Sequence, residues 1–108
     1  MIFILVACST QAEAEAIGQA LLEQKLVACA SIGPPIQSSY WWQGKLEQAR
    51  EVPLTLKTLP EHFAAVEAEV RRLHSYETPE IVAVAACACS SAYAAWLGEA
   101  VEHPVARP

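Results

Sequence analysis

The chain has 108 residues, 54% hydrophobic and 18% charged, and its 12 acidic and 7 basic residues give a formal charge of −5. That length fits one domain with one core, without room for a catalytic domain plus a second module. The acidic balance, with no basic cluster longer than Arg71-Arg72, argues against a nucleic-acid partner, and no run reaches the ~18 apolar residues of a membrane helix.

Residues 2–8, Ile-Phe-Ile-Leu-Val-Ala-Cys, are continuously apolar and read as a central strand buried on both faces. The same residues resemble a lipoprotein cleavage box. However, no basic residue precedes them, the apolar run is short, and Leu-Val-Ala-Cys recurs at 26–29, so a first strand is the expectation. Thr10-Gln11-Ala12-Glu13 has the form of a capping box, and Ala14, Ile17, Leu21, Leu22 and Leu26 have helical spacing, so a helix is expected to end near Lys25. From Val27 to Trp42 the pattern is that of an edge strand with a bulge at Gly33-Pro34-Pro35. Gln43-Gly44 is a turn signal, and Leu46 to Thr58 forms the return arm of a long hairpin.

Thr58-Leu59-Pro60-Glu61 repeats the capping-box form, and Phe63, Val66, Val70 and Leu73 mark the buried stripe of a second helix. Ile81 to Ala86 is the fourth strand, and Tyr93, Trp96, Leu97 and Val101 mark a short third helix. Two βαβ halves joined by a hairpin predict an α+β, ferredoxin-like split βαβ sandwich with an antiparallel sheet of order 4-1-3-2. The single domain is placed at 1–103 and a tail at 104–108. Both main helices then lie on one face of the sheet, leaving the other for the third helix or another subunit, in keeping with the apolar excess.

Four cysteines invite a metal reading, since thiolate and imidazole suit copper or zinc. Without an export signal, reduced thiols are the default. The topology keeps the four apart within one subunit: Cys8 and Cys87 end antiparallel neighbours at opposite ends, and Cys29 lies on the far edge, about 14 Å from Cys87 at ~4.8 Å per strand. Cys87 and Cys89 alternate along extended backbone, as a soft-metal chelate or as two small core fillers. His74, Tyr76, Glu77 and Glu80 form a polar cluster that could hold a divalent ion, bind a small ligand, or shape the turn after the second helix, with His74 favoured there by the helix dipole. Trp41 and Trp42 face opposite sides of their strand, and His62 and His103 read as solvated.

Ala28-Cys29-Ala30-Ser31-Ile32, Tyr40-x-Trp42-x-Gly44-Lys45, Leu56-Lys57-Thr58, His74-x-Tyr76-x-x-Pro79-Glu80-Ile81 and Tyr93-x-x-Trp96-Leu97 occur in an order and spacing that resemble the CutA divalent-ion tolerance family, across residues 2–97. The resemblance implies a cytoplasmic homotrimer whose hairpin arms pair between subunits. It implies tolerance of copper and other divalent cations, with Cys29 as a copper ligand and no established catalysis. Combining both lines, the expected metal ligands are Cys29, Cys87, Cys89 and His74, with copper or another divalent ion as cofactor. The expected ligand cleft is Tyr76, Glu77, Glu80 and Lys57, and the expected subunit contacts are Tyr40, Trp41, Trp42 and Trp96. A regulatory module binding a small ligand between subunits is the alternative function. The chain differs from the family pattern at Ser31, Pro35, Ser75, Ala85 and Cys89-Ser90.

Overall fold

The computed structural model describes residues 1–101. Strand β1, Ile2–Cys8, alternates buried and half-exposed residues. Ile2, Ile4, Val6 and Cys8 enter the core, while Phe3, Leu5 and Ala7 face away from it. The expected burial on both faces is therefore corrected to one face, because the two main helices pack on the same side.

Helix α1, Gln11–Glu23, starts as its sequence dictates: the Thr10 hydroxyl accepts from the Glu13 amide at 3.1 Å. Its buried stripe is Ala14, Ile17, Gly18 and Leu21. Burying a side chain the size of Ile17 or Leu21 contributes about 1.5–3 kcal/mol. Gly18 allows the helix to close on the sheet, since a Cβ there would stand 3.1 Å from the Ala30 Cβ.

The expected second strand is divided. Cys29–Ile32 forms β2 and Ile36–Trp42 forms β3, separated by Gly33-Pro34-Pro35, whose prolines have no amide to give a ladder. Both pair antiparallel with the 14-residue β4, Lys45–Thr58, at different points along it. Trp42 and Lys45 are joined through Gln43 and Gly44, both at positive φ (51° and 78°), which matches a type I′ hairpin turn. Val52–Thr58 of β4 also pairs with β1, and β1 pairs on its other side with β5, Ile81–Ala85. The sheet order is β2-β4-β1-β5, with β3 joined only to β4. The α+β class is as expected, and the expected 4-1-3-2 order is the path β5-β1-β4-β2, differing in detail in that the second strand is divided into β2 and β3.

Thr58 does not cap the second helix. It is the last residue of β4, fully buried, and its hydroxyl donates to the Leu26 carbonyl at 2.6 Å. A 3₁₀ turn, Pro60–His62, intervenes before α2, Phe63–Leu73, with no side-chain cap at either start. His62, expected in solvent, is buried. Helix α3, Ser91–Ala100, is capped by Ser90, whose hydroxyl accepts from the Tyr93 amide at 3.3 Å. The core joins β1 and β4 to α1 and α2 through Ile4, Leu54, Leu56, Ile17, Leu21, Val66 and Val70. His103, the domain end at 103 and the tail at 104–108 lie outside the described residues.

Candidate functional site

The turn after α2 is held by a polar lock. His74 ends the helix, and its backbone amide donates to the Val70 carbonyl at 2.8 Å. Its buried ring sits with Nδ1 3.0 Å from the Tyr76 amide and Nε2 2.7 Å from the Ala7 carbonyl. An amide can only donate and a carbonyl can only accept, so Nδ1 is the acceptor and Nε2 carries the proton. The ring also lies 4.7 Å from that of Tyr76. The Glu13 carboxylate accepts from the Ser9 amide at 2.9 Å, the Ser9 hydroxyl at 3.1 Å and the Ser75 amide at 2.8 Å. Burial pushes this carboxyl upward, but the Ser9 and Ser75 hydrogen bonds and the neighbouring His74 outweigh it and hold the group below its ordinary value.

Cys8 Sγ, a Glu13 oxygen and a His74 nitrogen lie within 4.8 Å of one another, a spacing that a metal ion could span. The donor chemistry fits poorly. Burial, followed by the charges of Glu13 and Glu51, pushes the Cys8 thiol up to about 12, so it is not a thiolate. Both His74 nitrogens are already engaged by backbone, and the trio reads as the joint between β1, α1 and the turn after α2.

Beside this joint lies a groove of about 750 Å³, where the hairpin arm leaves the sheet. Tyr40 and Trp42 of β3, Glu51 of β4, and Tyr76, Glu77 and Glu80 of the turn line it. Glu51 is 8% exposed. Burial first, then the hydrogen bond to Glu51 and the charges of Glu51, Tyr40 and Glu13, push the Tyr76 phenol up to about 12. The phenol therefore keeps its proton and donates it toward Glu51.

Tyr76, Glu77 and Glu80 line the same groove, but Lys57 does not join them. Its ammonium donates to the Tyr93 hydroxyl at 3.3 Å and sits over the Phe3 and Tyr93 rings at 5.7 and 5.5 Å. Lys57 pairs with Phe3, five residues along β1 from Cys8. At about 3.4 Å per residue that is some 17 Å away.

The expected metal set is also divided. His74 stands by Ala7 at one end of the sheet. Cys29, half-exposed with Sγ 3.5 Å from Ser31 Oγ, pairs with Lys57 at the other end. Cys87 and Cys89 are exposed beyond β5, whose last residue pairs with Ile2 at that same end. The three accessible thiols share an end of the sheet, but Cys29 and β5 belong to opposite edges with β4 and β1 between them.

All four expected contact aromatics carry exposed surface, Trp41 most at 73%. Alternation along β3 puts Tyr40 and Trp42 on the groove side and Trp41 on the other, beside its cross-strand partner Leu46. Sequence reasoning missed Glu51 altogether and saw Glu13 only as a cap. No signal in the sequence marked Glu51: only in the folded chain do it and Val52 form two consecutive buried residues that break the alternation of the arm.

These features define a split βαβ sandwich whose hairpin arm projects from the sheet and roofs an acidic, aromatic groove. The family model described as CutA1 divalent ion tolerance protein matches residues 2–100, and the chain belongs to that family. A divalent-cation tolerance protein CutA from Archaeoglobus fulgidus is 43% identical over 100 residues, 93% of this chain and 97% of that one. The solved structure of the periplasmic divalent cation tolerance protein CutA from the same organism has a TM-score of 0.90, covering 94% of this chain and 100% of its own. That of the divalent cation tolerance protein from Thermus thermophilus has a TM-score of 0.91 at 34% identity, with 94% and 100% covered. The family and these relatives are named for tolerance of divalent cations rather than for a reaction. The cytoplasmic expectation is corrected, because the Archaeoglobus protein is described as periplasmic, which points away from the cytoplasm. Among the described residues no helix is long and apolar enough to cross a membrane.

Proposed function

We propose that the chain serves divalent-cation tolerance as a homotrimer that binds copper directly through accessible thiols, with Cys29 as the principal ligand and no catalytic step. The observation that carries this reading is the separation of its thiols into two classes. Cys8 is buried and protonated beside an imidazole already spoken for, whereas Cys29, Cys87 and Cys89 reach solvent at one end of the sheet. Soft thiolate sulfur suits copper(I). Because Cys29 and β5 occupy opposite edges, thiols from both meet at one ion only between neighbouring copies. Assembly is supported by the apolar surface left on the sheet at Val82 and Val84 and on the arm at Trp41 and Leu46.

The test is copper(I) titration of the reduced protein against Cys29→Ser and Cys87→Ser/Cys89→Ser. Loss of a site in Cys29→Ser is expected, with a further loss in the double variant if the second pair contributes. Unchanged stoichiometry and affinity in both would remove thiol binding from the account. The alternative, a regulatory module, is favoured by one specific feature, the groove.

A further inference from the structure

We infer that Cys87 and Cys89 form a redox site, a dithiol that closes to an intrachain disulfide by exchange with a low-molecular-weight disulfide and reopens with the corresponding thiol. Both thiols are free and exposed. They lie between β5, which ends at Ala85, and α3, which begins at Ser91, so neither a ladder nor a helix holds residues 87–89. The backbone bonds that anchor the stretch are at its ends. The Ala86 amide donates to the Met1 carbonyl at 3.1 Å, and the Ser90 carbonyl accepts from the Ala94 amide at 3.0 Å. The side chains around the pair, Ala85, Ala86, Ala88, Ser90 and Ser91, are small and leave the sulfurs open to a reagent. Exposure also removes core filling as the reason for two cysteines here.

Spacing makes each thiol the other's partner. Two residues along extended backbone are about 6.6–6.8 Å apart, the upper limit of the Cα separation that a disulfide spans, and turning the chain at Ala88 shortens it. The remaining thiols are out of reach within one chain. Cys8 is buried at the other end of β1 from Ile2, which pairs with Ala85. Cys29 pairs with Lys57, Lys57 with Phe3 and Phe3 with Val84, so three strand spacings, about 14 Å, separate Cys29 from β5. The exchange balances without a further reactant. One cysteine thiolate attacks a sulfur of the small disulfide, forming a mixed disulfide and releasing a small thiolate, which takes up the proton that the cysteine lost. The second cysteine thiolate then attacks the protein sulfur of that bond, closing Cys87 onto Cys89 and releasing the second small thiol. Two protein thiols are oxidised to one disulfide while the small disulfide is reduced to two thiols. No metal takes part in the step. An exposed disulfide is of the kind that small thiols open again.

The experiment incubates the reduced full chain, in its native assembly and in metal-free buffer, with glutathione and glutathione disulfide in increasingly oxidising ratios. Free thiols are then trapped by alkylation and read by mass spectrometry. Wild type is expected to lose the Cys87 and Cys89 thiols together, with the new bond mapped within one chain and no glutathione retained on either. Cys87→Ser and Cys89→Ser, both changed at exposed positions, should each stop at the mixed disulfide and hold one glutathione on the remaining cysteine of the pair. Cys29→Ser should close the bond as wild type does, and dithiothreitol should restore both thiols. Thiols that stay free in the most oxidising buffer, whether inert or covered by a neighbouring copy, overturn the inference. So does glutathione on both cysteines of the wild-type pair, or a bond to Cys29 or between chains on a non-reducing gel. Because the buffer holds no metal, this result and the copper titration are read independently.

Discussion

Replacing Glu13 by alanine removes a carboxylate that accepts three hydrogen bonds, from the Ser9 amide and hydroxyl and from the Ser75 amide. Hydrogen bonds to a charged group contribute about 1.5–3 kcal/mol each, but Ser75 is exposed and Ser9 half-exposed, so water recovers part of the loss. The expected net cost is about 2–4 kcal/mol at neutral pH, a fall of at least ~8 °C in Tm for a domain of this size. Wild type and variant are compared by thermal and urea unfolding at equal protomer concentration, because assembly shifts apparent stability. The pH dependence has a definite sign. The folded group lies below its ordinary value of 4.5, so its contribution is present above about 4.5 and is lost as pH falls through the lower folded value. The gap between the proteins therefore narrows as pH falls below that ordinary value. A loss below ~1 kcal/mol at pH 7, or a gap that stays constant in acid, would refute the joint as described.

Cys8, with its thiol pushed up to about 12 in a fully buried position, should resist thiol reagents at about pH 8 until guanidinium unfolds the chain, while Cys29, Cys87 and Cys89 react in the native state. Four thiols reacting together would contradict that division. Trp41→Ser combined with Leu46→Ser, which touches no core position, should lower the assembled mass in light scattering while leaving circular dichroism unchanged. An unaltered mass would move the subunit contact off this face of the arm.

Local signals in the sequence reported local structure well. Thr10 caps α1, Gln43-Gly44 makes the turn, and the paired prolines divide the second strand, because each acts through backbone geometry within a few residues. Thr58 shows where such reasoning stops. It has the same motif as Thr10, but its hydroxyl finds the Leu26 carbonyl, a partner set by the packed sheet. His62 and Glu51 were hidden for the same reason, as their burial follows from elements far away in sequence. At the site, the segment from His74 to Glu80 was visible as a polar cluster. Its support by Glu13 and Ala7 spans more than 60 residues and leaves no periodic trace. Ser75 and Ser90, departures from the family pattern, hold definite posts: one amide bonds Glu13, and one hydroxyl caps α3.

The placement of β1 bears on how the chain is made. Within the sheet the strand earliest in the chain is an inner one, and its partners are the last two strands, from Val52 to Thr58 and from Ile81 to Ala85. Until residue 58 is synthesised, Ile-Phe-Ile-Leu-Val-Ala-Cys has neither native edge to pair with, and the second edge waits until residue 85. Completion of the sheet is thus deferred until β5 has emerged, with an apolar strand waiting meanwhile. A nascent chain stalled before residue 58 should be the species most in need of a chaperone.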